Sequence, residues 1–377
     1  MQRVTERVID LIWRAAAEQI RRGYAPQSLP PATPLWLSRG VAGEVVGAET
    51  PRLPPPSGER FAFVWPTVLR SDGGQQLRRL VDAALVQLAD AARDSGVELV
   101  LVIGLQWLPG QAEHARAELQ RVLAAVAPPA AVHLLGLLLP APRKSRTLNA
   151  VFSAIDTLGL GAVGWIDDDV ELAPRCLSRL VQRFRQGGAG GAVGATKVAH
   201  RRPEWASRLL FRAKQSMQTA ENYPHGCCIL VDAAVVRRGI PERYVSDDGF
   251  VCFELLAPSR PDPLDKLQLV PEAECHYTVG APRGRLLLRL RRLQLNHHVF
   301  LADYPPDVGR YYVRHMLFAG LWPIAPWDRS APAGAALVRW QLKAVHFGLF
   351  CAIGAELALR GRAGRPLREI PWAGSAI

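Results

Sequence analysis

From Phe61 onward, short apolar runs alternate with amphipathic stretches, and few architectures satisfy that rhythm. Phe61 to Leu69 reads as a buried strand, followed by a helix from about Gln75 to Arg93. Val97 to Ile103 is a second strand, with a helix from about Gln111 to Val126, and Val132 to Leu139 is a third. A helix entered at Ser145 carries Leu148, Val151, Phe152 and Ile155 on one face. Ala162 to Ile166 is a fourth strand and runs into Asp167-Asp168-Asp169. Pro174 stands where a first helical position belongs, ahead of the stripe Leu177, Leu180, Val181 and Phe184. This alternation predicts an α/β fold, a mostly parallel sheet with helices on both faces. Such sheets bind ligands beyond the carboxyl ends of their strands. That rule gathers Trp65-Pro66-Thr67, Ile103-Gly104 and the three aspartates onto one surface.

The flanks are different. Residues 1–22 place Val4, Val8, Leu11, Ile12 and Ala15 at helical spacing, an amphipathic helix. Residues 24–58 hold eight prolines between Pro26 and Pro56 and read as an extended connector with few internal hydrogen bonds. After Gly190 a strand is expected over Ala192 to Val198, a helix over Trp205 to Glu221, and a buried strand over Gly226 to Val231. Leu267 to Val270 reads as an edge strand. Past Tyr304 the chain is aromatic and proline-rich, with one more helix at about Ala335 to Leu359. Three regions follow: 1–58, a helix and connector; 59–303, the α/β domain; 304–377, a helical extension.

A hydrophobic content of 49% over 377 residues excludes a disordered chain. The formal charge of +12 is carried almost wholly by arginine and favours anionic partners. No aromatic-basic RNA-binding pattern or zinc-finger spacing occurs, so nucleic acid ranks last. Six cysteines without a Cys-x-x-Cys pair read as reduced, buried thiols of a cytoplasmic protein. Charges throughout residues 3–18 exclude a signal peptide. Ala344 to Ala355 falls short of the roughly 20 apolar residues of a membrane span, which predicts a soluble or peripheral protein. The amphipathic N-terminus and aromatic C-terminal third suit either peripheral contact with an anionic membrane or ordinary packing on the domain.

Three aspartates at a strand end are either an acidic loop ahead of a helix or a cation site. Mg²⁺ or Mn²⁺ takes hard oxygen ligands, typically one or two carboxylates plus substrate phosphates. Lys144, in Arg143-Lys144-Ser145-Arg146-Thr147-Leu148-Asn149, lies at a strand-to-helix turn from which a cation can reach a diphosphate. Asp247-Asp248, in Tyr244-Val245-Ser246-Asp247-Asp248-Gly249-Phe250, is either a helix cap or a general base tuned upward by its neighbour. The run around Arg289-Leu290-Arg291-Arg292-Leu293 is either a solvated helix face or a guanidinium clamp on a departing diphosphate, with Arg289 and Arg292 as its candidates.

In order and spacing these segments resemble the family 2 glycosyltransferases, nearest to the branch of ceramide glucosyltransferase and the polysaccharide synthases. The likeness covers roughly residues 61–300. It matches Lys144 to Asn149, Asp167 to Asp169, His225-Gly226-Cys227-Cys228 before a buried strand, Asp247-Asp248 after Pro241, and the arginine run. It implies a GT-A fold (Rossmann-like) and an inverting transfer of sugar from a nucleoside diphosphate donor to an acceptor hydroxyl. Asp248 is then the base beside Asp247. Asp169 and Asp167 hold Mg²⁺ or Mn²⁺, and Pro66, Thr67, Lys144, Asn149, Asp167, Asp168, Arg289 and Arg292 bind the donor. His225 and Gly226 face an acceptor, a lipid or polysaccharide precursor. Leu293 stands where the family has tryptophan, which points away from a processive polymerase. The second strand ends in Gln106 without the acidic residue usual there, and a UDP-sugar is the expected donor. A nucleotidyltransferase on a similar sheet, or a non-catalytic membrane-associated binding protein, are the competing readings.

Overall fold

The computed structural model describes residues 2–26, 32–40, 44–51, 53–69, 75–140, 143–200, 226–278, 283–318 and 333–368. The expected helix at Trp205 to Glu221 and the site residue His225 lie outside the described residues. In chain order the elements begin with α1 (Gln2–Gly23), β1 (Tyr24–Ala25), β2 (Leu35–Arg39), β3 (Val45–Ala48) and β4 (Arg60–Val68). They continue with α2 (Gln75–Ser95), β5 (Glu98–Trp107), α3 (Ala112–Ala125), β6 (Val132–Pro140), α4 (Lys144–Ser153) and α5 (Ile155–Leu158). Next are β7 (Ala162–Ile166), β8 (Val170–Leu172), α6 (Cys176–Gly187), β9 (Ala192–His200) and β10 (Cys228–Asp232). Then come α7 (Ala233–Val236), α8 (Asp247–Leu255), β11 (Leu267–Thr278), α9 (Arg283–Asp303) and α10 (Pro306–Tyr311). A π-helical turn (Tyr312–Leu317), α11 (Ala333–Arg362) and β12 (Leu367–Arg368) complete the described chain.

Ten strands form one sheet in the order β3-β2-β6-β5-β4-β7-β10-β9-β11-β8. Its centre, β6-β5-β4-β7, is parallel throughout, as the alternation predicts, and antiparallel pairings extend it on both sides. Successive side chains of a strand point to opposite faces, and here both faces are apolar. Phe61, Phe63 and Trp65 of β4 join the core beneath α2, α3 and α6. Ala62 and Val64 join the core shared by α1, α4, α8, α9 and α11.

Some elements depart from the expectations. The connector at 24–58 is not merely extended: β2 pairs with β6 through Leu35↔Leu138 and Leu37↔Gly136, and β3 closes the edge. Leu35, Trp36 and Leu37 find an open sheet edge, and the surrounding prolines hide that in the sequence. Pro174 does not open α6; the helix starts at Cys176, after Arg175 adopts a left-handed φ of 62°. The strand read as Leu267 to Val270 runs on to Thr278, with an irregularity between Val270 and Glu274. The stretch Ala344 to Ala355 belongs to a 30-residue helix. Within it Lys343–Arg362 is long and apolar enough to cross a membrane by length and composition, and 22% of it is buried inside the protein.

The termini share the central core. Trp13, Ala16, Ala17 and Ile20 of α1 are buried with Phe350, Ile353 and Leu357 of α11 and Val299 and Phe300 of α9. β1 pairs with β12, Tyr24↔Leu367. At the end of the sheet away from the aspartates, Arg60 is nearly fully buried and pairs with Glu98 at 2.6 Å. It also donates to the carbonyls of Leu158 and Pro54. Desolvating that guanidinium is compensated by this full set of acceptors.

Candidate active site

β7 ends at Ile166, and the three aspartates follow in a turn before β8. Extension past a central parallel strand puts them at the carboxyl edge of the sheet. Asp167 and Asp168 are half-buried, and Asp169 is exposed. Asp168 accepts a hydrogen bond from Thr67 Oγ1 at 2.8 Å, so the end of β4 holds the turn. Pro66 is buried beside Thr67, opposite Gly104 of β5.

Lys144, at the start of α4, ties this turn to the second acidic motif. Its Nζ lies 2.5 Å from Asp167 Oδ1 and 2.9 Å from Asp247 Oδ2, and donates to the Gly226 carbonyl at 2.8 Å. Two carboxylates separated by eighty positions therefore meet on one ammonium. Burial works against the charge on Lys144, but Asp167 and Asp247 outweigh it and raise its pKa. For Asp247 burial dominates, Lys144 opposes it, and the Asp248 and Asp167 charges add to it, so the carboxyl is pushed up to about 6. The two shifts differ in origin: paired carboxylates raise Lys144, whereas burial, helped by neighbouring carboxylates, raises Asp247.

Asp248 lies in the first turn of α8, which Ser246 caps by accepting from the Gly249 N–H at 3.0 Å. Its Oδ1 accepts from the Ser246 hydroxyl and from the Gly249 N–H, and its Oδ2 from the Gly226 N–H at 3.3 Å. The Gly226-Cys227 turn is thus a junction. Gly226 touches Lys144 and Asp248, and the Cys227 carbonyl accepts from the Asp167 N–H at 2.9 Å. α9 supports the acidic motif from behind, where Asn296 Oδ1 accepts from the Val245 N–H at 2.9 Å. His297 beside it is half-buried, and its desolvation lowers its pKa to about 3 and keeps it neutral.

Other expected residues are placed differently. Asn149 is engaged by the backbone of Ile240: its carboxamide donates to the Ile240 carbonyl at 2.8 Å and accepts from the Ile240 N–H at 2.7 Å. It clamps a turn in which Gly239 has φ +77°, a conformation that favours glycine. Lys144 is committed to protein acceptors rather than held open for a diphosphate. Arg292 is half-buried on α9, and the Arg289 side chain lies outside the described residues, as does His225.

Two contributors were not legible in the sequence. Gln106 is buried at the end of β5 and clamps the backbone of Arg143 in both directions, at 2.8 and 3.0 Å, fixing where α4 starts. Lys197 on β9 stands at the same sheet edge, its Nζ 4.2 Å from the centroid of the Tyr277 ring. Neither belongs to a recognisable motif; a polar residue ending an apolar strand was the only hint of Gln106.

Among the described residues no three His, Cys, Asp or Glu side chains converge to hold a metal ion. Magnesium or manganese held by one or two carboxylates and completed by phosphate oxygens needs no such trio. The hard oxygens of Asp167 and exposed Asp169, in a cluster short of positive charge, fit that kind of binding.

No family model matches the chain, and no curated protein sequence matches it. Solved structures resemble it at low identity. One is S. aureus TarS, TM-score 0.36 and 10% identical, covering 79% of this chain and 55% of that one. The chain thus spans about half the length of TarS. Another is glucosyl-3-phosphoglycerate synthase from Mycobacterium tuberculosis, in complex with Mn²⁺, UDP-glucose and glycerol 3-phosphate. Its TM-score is 0.38 and its identity 16%, over 66% of this chain and 82% of that one. A third is TarS 1-349 in complex with UDP, TM-score 0.35 and 10% identical, over 81% of this chain and 92% of that one.

Proposed function

We propose that this chain is an inverting glycosyltransferase of the GT-A type. It takes a sugar from a nucleoside diphosphate donor, a UDP-sugar in the first instance, and places it on an acceptor hydroxyl. The observation that carries this reading is the meeting of Asp167 and Asp247 on Lys144 at the carboxyl edge of the parallel strands. A donor lies on the Asp167–Asp169 side, and an acceptor lies on the Asp248 side. The resemblance to family 2 glycosyltransferases in motif order agrees with that division.

In this mechanism the acceptor oxygen attacks the anomeric carbon from the face opposite the diphosphate, and Asp248 takes its proton. The bond to the diphosphate breaks as the new glycosidic bond forms. Asp248 is preoriented by Ser246 and the Gly249 N–H, and Gly226, without a side chain, lets both aspartates pack against its backbone. A divalent cation held by Asp169 and Asp167 would neutralise charge on the departing diphosphate.

The first test is a thermal-shift panel of UDP, GDP, CDP and dTDP with and without Mn²⁺. Stabilisation by one of them, abolished by EDTA and by Asp169→Asn, is the expected result. Single-turnover transfer by Asp248→Asn should then fall about 10²–10⁴-fold while nucleotide affinity stays near wild type. Wild-type rates in Asp248→Asn would return Asp247-Asp248 to the role of a helix cap.

The acceptor is proposed to be a lipid or polysaccharide precursor met at the inner, cytoplasmic face of a membrane. Val345 and Leu359 of α11 are 53% and 67% exposed, and Trp340 is 44% exposed. With a net charge of +12, that apolar surface suits an anionic bilayer. Co-sedimentation with liposomes should rise with anionic lipid and fall with salt; indifference to both counts against the membrane.

A further inference from the structure

The donor side of this site needs a cation free to meet phosphate, and Lys144 is not one. An ammonium carries three N–H bonds. Those of Lys144 face Asp167, Asp247 and the Gly226 carbonyl, all within 2.9 Å. Reaching a phosphate means breaking an ion pair that holds the donor and acceptor sides together.

Lys197 is differently situated. It lies on β9 past Gly194, the last residue paired with β10, and opposite Cys275 of β11. Because β10 runs antiparallel to β7, with Cys228 opposite Ile166, this end of β9 lies at the edge where the aspartates emerge. The Lys197 Nζ stands over the Tyr277 ring at 4.2 Å, and Tyr277 pairs with Val170, the residue after Asp169. Lys197, Tyr277 and the Asp169 turn therefore share one corner. A ring face attracts an ammonium without taking up its N–H bonds. Among the described residues, the Lys197 ammonium makes no hydrogen bond and no ion pair at contact distance with a carboxylate. Burial disfavours its charge, but Cys227, Asp167, Tyr277 and Asp169 together raise its pKa, so it stays protonated. A half-buried ammonium whose donors meet no acceptor among the described residues, beside an acidic turn, suits an anionic ligand.

We propose that Lys197 binds the diphosphate of the nucleotide donor, held in place by Tyr277, while Lys144 serves as the bridge between Asp167 and Asp247. The assignment rests on the glycosyltransferase reading above. The two lysines then have separate roles, Lys144 organising the carboxylates and Lys197 meeting the ligand.

Calorimetric titration of the full chain tests it. The probes are the nucleoside diphosphate that best stabilises the wild type and its parent nucleoside, each with Mn²⁺. Lys197→Ala should lose roughly tenfold to hundredfold in diphosphate affinity, the worth of a charge-assisted hydrogen bond. It should leave nucleoside affinity and melting temperature near wild type. Lys197→Arg should recover most of the loss. Undiminished diphosphate affinity in Lys197→Ala overturns this assignment alone. So does an equal loss for nucleoside and diphosphate, which marks a structural role. A wild type that binds none of the four nucleoside diphosphates overturns the glycosyltransferase reading, and this assignment with it.

Discussion

A Cβ on Gly226 would lie 2.7 Å from Asp247 Oδ2 and 3.2 Å from Asp248 Cβ. The absence of a side chain there lets the acidic pair close on Lys144. Gly226→Ala should push Asp247 off the lysine and lower transfer at least about tenfold, with a melting temperature close to wild type. Circular-dichroism melts beside single-turnover assays separate the two effects. Asp247 supplies a second expectation at this scale. With its carboxyl pushed up to about 6, it protonates as pH falls through that value, and its ion pair with Lys144 is lost. Transfer should decline on the acid side of about pH 6, and Asp247→Asn should lose that limb of the pH profile. A limb unchanged in the variant would assign it to another group. The residue scale is also where the sequence is least legible. Asp247-Asp248 is visible as helix cap or base, but the ion pair to a lysine 103 positions away depends on the folding of β7, β10 and α4 together. Nor does anything local to Asn149 show that its carboxamide is used by Ile240.

Single elements are far easier to read. β4, β5, β6 and β7 are continuous apolar runs because both of their faces are covered, and that makes them conspicuous. β2 is hidden because five residues between prolines show no periodicity until β6 offers them an edge. β11 reads too short because polar residues past Val270 (Glu272, Glu274, His276) interrupt its apolar run. The Arg60–Glu98 pair fixes the far ends of β4 and β5. The Ser57 hydroxyl, the Ser57 N–H and the Arg60 guanidinium hold Glu98 down at about 2, against an ordinary 4.5. A carboxyl depressed in the folded state stabilises fully above its unfolded value and loses that contribution as pH falls toward the folded one. Stability should therefore drop between about pH 4.5 and 2, and Glu98→Gln should flatten this part of the acid-unfolding curve. Arg60→Met should cost about 3 kcal/mol in urea unfolding. That is the low end for breaking a buried pair, because Glu98 retains 19% exposure.

At the scale of the whole molecule, α1 behaves as a core element. Trp13 is 1% exposed and lies among α9 and α11, so Trp13→Ala should cost about 3–5 kcal/mol in denaturant unfolding. A smaller loss would mean that α1 adheres loosely. The amphipathic pattern of residues 1–22 is plain in the sequence; that its stripe faces helices near the other end of the chain is not, because periodicity names a face and never its partner. This closure has a bearing on how the chain is made. The stripe of α1 leaves the ribosome well before α9 and α11, the helices that cover it. Until α9 and α11 are made, Trp13 and Ile20 lack the helices that complete their burial, while the sheet from β4 to β7 can already assemble. Until then the nascent chain carries a partly uncovered apolar helix, a natural handle for a holding chaperone, and translation stalled before α11 should leave a species prone to aggregate.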